Sequence, residues 1–385
     1  MRRTTWLALG GTLLVTGGLL LLPKPSTGAP FTPASLDEVL EQVPVRRAGD
    51  AGLSAEAAAE VARALITQSR QRGGDTRLLG QAQAVLAPWW SDDAPAPAVR
   101  LMRATIKQSL HDFDGALEDL DVLAATPTDV QAQLTRATVL SVRARYREAE
   151  PVCLGLRGQV EDAVVAACLA PLLAIQGRAE EAEVMVRAAL AKTSKASTLR
   201  GWLLSILGEV QTWRGNAEGA VATLREALAA DDTDTYSRLL LGATLTELAR
   251  PAEAVALWAS RVERSDPELL ELVLAARAAH LDEADALAAT LAQNVEASRR
   301  RKDPVHRREE SRYALRVEGD VPRALALARE NFEVQQEPAD VRVLLEAALA
   351  ARDRAAAAPA LAWMKRTGFA APRFVSLAAA VESLP

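Results

Sequence analysis

The sequence repeats itself, and the period sets the fold. A recurring small residue aligns at Ala82, Ala116, Ala149, Ala182, Ala220, Ala254, Ala284, Ala324 and Ala357, with successive spacings of 34, 33, 33, 38, 34, 30, 40 and 33 residues. A unit of about 34 residues holds two helices and their turns, and it is too small to bury its apolar face alone, so like units must stack. Other landmarks travel with the alanines. Gly208 and Gly242 each stand twelve residues before their Ala, and Gly177, Gly215 and Gly319 stand five before theirs. Ala189 and Ala227 follow theirs by seven, and Arg103-Ala104-Thr105 returns as Arg136-Ala137-Thr138. Gly or Ala at a crossing lets two helices approach closely. Gly at the turn takes the left-handed conformation that ends a helix. Pro251 and Pro322 fall where a second helix starts, a position that tolerates a missing N–H. Asp266-Pro267-Glu268 reads as a cap followed by the first residue of another helix.

Composition agrees. Hydrophobic residues make up 49% of the 385, aromatics only 4%, and Ala and Leu supply most of the apolar content. Those types lose little on entering a helix, whereas strands favour β-branched and aromatic side chains. A large sandwich or doubly wound sheet is therefore excluded. No seven-residue apolar repeat supports a coiled coil. The net charge of −5 offers no global basic field for nucleic acid. Three His and two Cys, unclustered, argue against a protein-held zinc. There is no H-E-x-x-H, P-loop, dinucleotide fingerprint or G-x-S-x-G elbow. His111, His280 and His306 lie far apart, without a neighbouring nucleophile. The expectation is a non-enzyme with no cofactor, and His111 reads as a solvated turn residue.

The N-terminus reads as an export segment. Arg2 and Arg3 precede a charge-free run from Trp6 to Leu22, and a small-residue stretch follows from Pro23 to Pro30. This is the three-part pattern of a secretory signal. Ser26 and Gly28 would precede a cut releasing Ala29. The alternative is an uncleaved anchor through residues 6–22, at the short end of what spans a bilayer. Residues 1–29 are expected to be a signal peptide or signal anchor, and 30–53 a linker. The protein would be periplasmic or secreted, or held at the inner membrane. Loss of Arg2, Arg3 and Lys24 would take the charge from −5 to −8, which weakens any nucleic-acid role further.

The small-residue and turn landmarks, most specifically from Leu207 to Ala227, resemble the tetratricopeptide repeat family. The stretches Leu79 to Trp90 and His111 to Leu120 are similar to exported repeat proteins of Gram-negative bacteria. The resemblance implies an all-α solenoid of stacked helix-turn-helix repeats forming a right-handed superhelix, about eight units over residues 54–367. A capping helix and tail over 368–385 would close the open end. In that family the first helices line a concave groove. Their exposed positions here are Thr105, Gln108, Gln131, Thr138 and Ser141, then Trp202, Ser205, Glu209, Trp213, Tyr236, Thr246 and Glu247. Amides and hydroxyls pair with an extended backbone, and aromatics give rigid contact area. Trp202 and Trp213 fall eleven apart, on one face. They read as groove residues or as core between units. Residues such as Leu, Ala and Thr stand where the family's carboxylate clamp has Lys, Asn and Arg, which argues against that mode of tail binding. The function expected is an envelope scaffold holding a peptide or protein segment. The alternatives are a membrane-tethered assembly factor for an envelope or cytochrome-maturation complex, or the accessory subunit of an enzyme.

Two further features stay open. Cys153 and Cys168 fall on consecutive, packed helices, as a disulfide or as two buried thiols. The basic run Arg299-Arg300-Arg301-Lys302, with Arg307 and Arg308, is either an anion patch or a solvated helix end balanced by Asp303, Glu309 and Glu310.

Overall fold

A computed structural model describes residues 52–385, apart from 73, 125–128, 260, 262–263 and 301–305. The expected signal and most of the linker lie outside the described residues. Nineteen α-helices occur among the described residues, and no strand does. They run α1 Ala55–Gln71, α2 Thr76–Val85, α3 Pro97–Ser109, α4 Phe113–Ala124, α5 Val130–Val142 and α6 Tyr146–Gly155. Next come α7 Asp162–Ile175, α8 Ala179–Lys192, α9 Leu199–Trp213, α10 Ala217–Ala230, α11 Thr235–Glu247 and α12 Pro251–Ala256. The chain ends with α13 Asp266–Ala278, α14 Ala284–Arg300, α15 Arg307–Tyr313, α16 Val321–Val334, α17 Pro338–Ala351, α18 Ala358–Thr367 and α19 Pro372–Glu382. Each odd-numbered helix up to α17 packs on the even-numbered one that follows, and on the neighbouring pair. The described chain is thus a helical-repeat array of nine pairs and a final helix, where about eight units are read from the sequence. A π-helical turn, Ala314–Glu318, extends α15.

The nine landmark alanines are all buried. A Cβ on Gly208 would meet Leu224 Cδ2 at 2.5 Å, and one on Gly242 would collide with Trp258 Cη2. Glycine there is a packing requirement between the two helices of a unit. The turn glycines Gly177, Gly215 and Gly319 have φ of 77°, 77° and 73°. The same left-handed turn recurs without glycine at His111, Ala144, Ala249 and Arg352, each five residues before its landmark Ala, and at His280. The turn geometry is therefore a property of the repeat, kept even where the residue strains to adopt it. The first residues of α13 depart from the sequence reading. The cap is Ser265, boxed with Glu268, and Asp266 is the first helical residue. α7 continues through Pro171.

The last helix, α19, packs on α17. Helices α16 to α19 fold back along the turns of the middle units. The Gln336 N–H donates to Val142 O at 2.8 Å. Arg143 donates to the carbonyls of Glu333 at 3.2 Å and Val334 at 2.7 Å, and the Tyr146 hydroxyl donates to Gln336 O at 3.2 Å. Tyr146 meets Trp363 edge-on, and Trp213 meets Phe369. A Cβ on Gly177 would lie 2.8 Å from Gly368 O, and one on Gly215 would lie 2.9 Å from Pro372 Cγ. The consequence is one apolar core shared by α1–α9 and α16–α19, while α10–α13 and α13–α15 hold two smaller cores.

Candidate functional site

The odd-numbered helices α3, α5, α7 and α9 turn one face towards a cavity of about 1320 Å³. Side chains on α9 explain how it is floored. Trp202, Ser205 and Glu209 are spaced three and four residues apart, so they form one stripe, and all three line the cavity. Tyr236 on α11 stands opposite, its hydroxyl donating to the Glu209 carboxylate. Glu337, the cap of α17, reaches in from the folded-back segment. Trp202 is 40% exposed and Tyr236 52%, whereas Trp258 and Trp363 are fully buried. Large aromatics left open to solvent inside a concavity supply rigid contact area.

The electrostatics follow from this enclosure. Partial burial pushes the Glu209 carboxyl up to about 7, with the Tyr236 hydroxyl opposing the rise and Glu337 adding to it. The Tyr236 hydroxyl is raised as well, first by its surroundings and then by Glu209. Glu209 has no cationic partner among the described residues. Glu337 shares Arg308 with Glu309 and Asp340.

Eight of the residues expected in the groove line this cavity: Gln108, Gln131, Thr138, Ser141, Trp202, Ser205, Glu209 and Tyr236. Four expected there do not. Thr105 is buried and its hydroxyl turns back to Leu101 O at 2.8 Å. Thr246 turns back to Gly242 O at 2.9 Å. Trp213, at the end of α9, packs on Phe369 because the folded-back segment covers it. Glu247 pairs with Arg342 at 2.9 Å and with Arg373. Residues that sequence reasoning missed include Arg70, Thr135, Lys195, Asp231, Asp234 and Glu337. Thr135 lies three residues before Thr138 on the same face and was legible by that spacing. Glu337 reaches the groove only through the fold-back.

Cys153 and Cys168 are joined by a disulfide with Cα atoms 5.6 Å apart, tying α6 to α7. Cys168 borders the cavity. His111 differs from the solvated residue expected. It is half-buried, stacked on Phe113 with ring centroids 5.4 Å apart. Burial, with Arg308 nearby, lowers it to about 4. The described part of the basic run is ion-paired, with Arg300 exposed beside Glu296 and Arg308 paired with Glu309. Arg299 pairs with Glu310 at 2.7 Å and Glu318 at 3.3 Å, and Arg307 pairs with Glu330 at 3.3 Å. Arg301 and Lys302 lie outside the described residues. Among the described residues no group of three or more His, Cys, Asp or Glu is placed to hold a metal, and no helix is long and apolar enough to cross a membrane.

The chain matches no protein-family model and no curated protein. Among solved structures it is similar to the human IFIT1 dimer with m7Gppp-AAAA, at 12% identity and a TM-score of 0.48, covering 87% of this chain and 91% of that one. It is also similar to a Rap protein complexed with competence and sporulation factor, at 12% identity and a TM-score of 0.47, covering 84% of this chain and 99% of that one. Neither likeness assigns a ligand here.

Proposed function

We propose that this protein is a non-enzymatic scaffold of the tetratricopeptide type, exported to the bacterial envelope, that holds an extended peptide or protein segment in the groove. The observation that carries the reading is the lining. Amides and hydroxyls on α3 and α5 face the same cavity as the exposed rings of Trp202 and Tyr236. An extended backbone needs hydrogen-bonding partners along its length, and its side chains need rigid apolar contacts. The lining holds four acids, Glu209, Asp231, Asp234 and Glu337, against two bases, Arg70 and Lys195. That balance disfavours a phosphate backbone. Export rests on Arg2, Arg3 and the apolar run from Trp6 to Leu22.

A photo-crosslinking residue at Ser205 tests the groove, with one at exposed Val184 as control. Peptide adducts at Ser205 alone are expected, lost when Trp202→Ala and Tyr236→Ala are combined in a folded chain. Equal labelling at Val184 would reject the groove. N-terminal sequencing of the exported protein separates release, starting at Ala29, from a tether, starting at Met1 or Arg2.

A further inference from the structure

The distribution of charge in the groove narrows the ligand class. Glu209 is held by one hydroxyl and no cation. Arg70 ends α1 and Lys195 lies in the loop before α9, and neither is within ion-pair distance of it. Arg308 on α15, the cation paired with Glu337, is already shared among Glu309, Glu337 and Asp340. The groove floor therefore carries a surplus of negative charge at Glu209, with the exposed Tyr236 ring beside it and the exposed Trp202 ring two helical turns along the stripe. An aromatic face attracts a cation electrostatically, more strongly when water is displaced. A carboxylate beside such a face completes a pocket for a flexible, singly charged side chain, since the charge-assisted hydrogen bond is the stronger kind.

Resting on the groove reading above, we propose that Glu209, hydrogen-bonded by Tyr236, with Trp202 two helical turns along the same stripe and Glu337 on the same lining, selects a segment with a Lys or Arg side chain at the floor. The specificity is then for a basic peptide, the reverse of an acidic-tail clamp. The α3 and α5 amides and hydroxyls hold the backbone, and the floor reads one side chain. Three groups face Glu209 or its partner: Tyr236 from α11, Glu337 from α17, and Arg308 from α15 acting on Tyr236. A bound cation favours ionised Glu209, so selection strengthens as the pH rises through 7.

The test uses immobilised full-length chain and capped peptide libraries with random flanks. The central residue is fixed as Lys, Arg, norleucine or Glu. Lys and Arg libraries should be retained roughly tenfold over norleucine, the scale of one hydrogen bond to a charged group, and further over Glu. Glu209→Gln, nearly isosteric, should cut that preference to below about twofold. The preference of the unaltered chain should grow from pH 6 to pH 8, and that of Glu209→Gln should stay flat. Equal retention of norleucine and Lys, or an undiminished preference in Glu209→Gln, overturns the basic-side-chain assignment and leaves the groove standing. Retention of no library above a blank surface overturns both. Trp202→Ala should weaken all libraries alike if the groove is the site.

Discussion

Helices α5 to α9 and helices α10 to α14 carry the same repeat landmarks, but they are held differently. The first set shares its core with α16–α19, which lie along its turns. The second buries its apolar faces only against neighbouring units, in two small cores. In a simple solenoid each unit contacts only its neighbours, and stability is close to a sum of local terms. The fold-back breaks that rule for half of this array. It couples the middle units to a segment about 190 residues away, as the Arg143–Val334 bond shows. The groove lies where the two kinds of packing meet, with Trp202 and Glu209 on α9 and Tyr236 on α11.

The largest effect that would sharpen this contrast comes from the two fully buried tryptophans. Trp363→Ala and Trp258→Ala should each cost roughly 3–5 kcal/mol. The consequences should differ. Trp363→Ala should speed amide exchange across α5–α9, because it loosens a shared core. Trp258→Ala should do so only within α10–α13. Identical exchange patterns would mean that the two regions unfold as one.

Next come two glycines with nearly the same backbone. Gly177 and Gly319 have φ of 77° and 73°, but only Gly177 is pressed by another chain segment. Gly319→Ala should cost the left-handed penalty alone, about 1–2 kcal/mol. Gly177→Ala should cost more, because its Cβ would collide with Gly368 O, and it should lower the protection of α18. Equal losses in thermal denaturation would remove the fold-back from the stability of the turn.

A smaller effect is electrostatic. The Glu209 carboxyl is raised to about 7 in the folded chain, so the folded state binds its proton more tightly than the unfolded one. Its contribution is therefore present at low pH and lost as the pH rises through 7. Glu209→Gln removes that loss and should gain on the unaltered chain between pH 5 and pH 8, by on the order of 1 kcal/mol after solvent screening. Glu337→Gln should reduce the gain, since Glu337 helps raise Glu209. A gain indifferent to Glu337 would separate the groove from the folded-back segment.

The smallest effect concerns Ala249 and Ala144, with φ of 57° and 54°. Ala249 is exposed, and Ala144 packs on the shared core. Ala249→Gly should stabilise by up to about 1 kcal/mol by relieving the backbone. Ala144→Gly should gain less, because the lost methyl offsets the relief.

Most of the array was legible in the sequence because its determinants are local. Gly208 and Gly242 announce close crossings, and Pro251 and Pro322 mark helix starts. The left-handed turns were legible only where glycine fills them. At His111, Ala144, Ala249 and Arg352 local backbone bonds that close the turn, such as Arg250 N–H to Leu245 O at 2.9 Å, hold the same conformation without a sequence mark. The groove was half legible. Periodicity places Trp202, Ser205 and Glu209 on one stripe, but that same periodicity admitted Trp213, which packs on Phe369 instead. The fate of Trp213 depends on which segment arrives to cover it.

The sequence by itself determined a stack of paired helices, because a period near 34 residues and small residues at crossings act within one unit and its neighbour. Only the tertiary structure decided that the array folds back on itself, which turns become an interface, and that Glu337 joins Glu209 and Tyr236 at the groove floor. Contacts between residues about 190 apart follow from the accumulated rotation of every intervening unit. No local pattern encodes that sum.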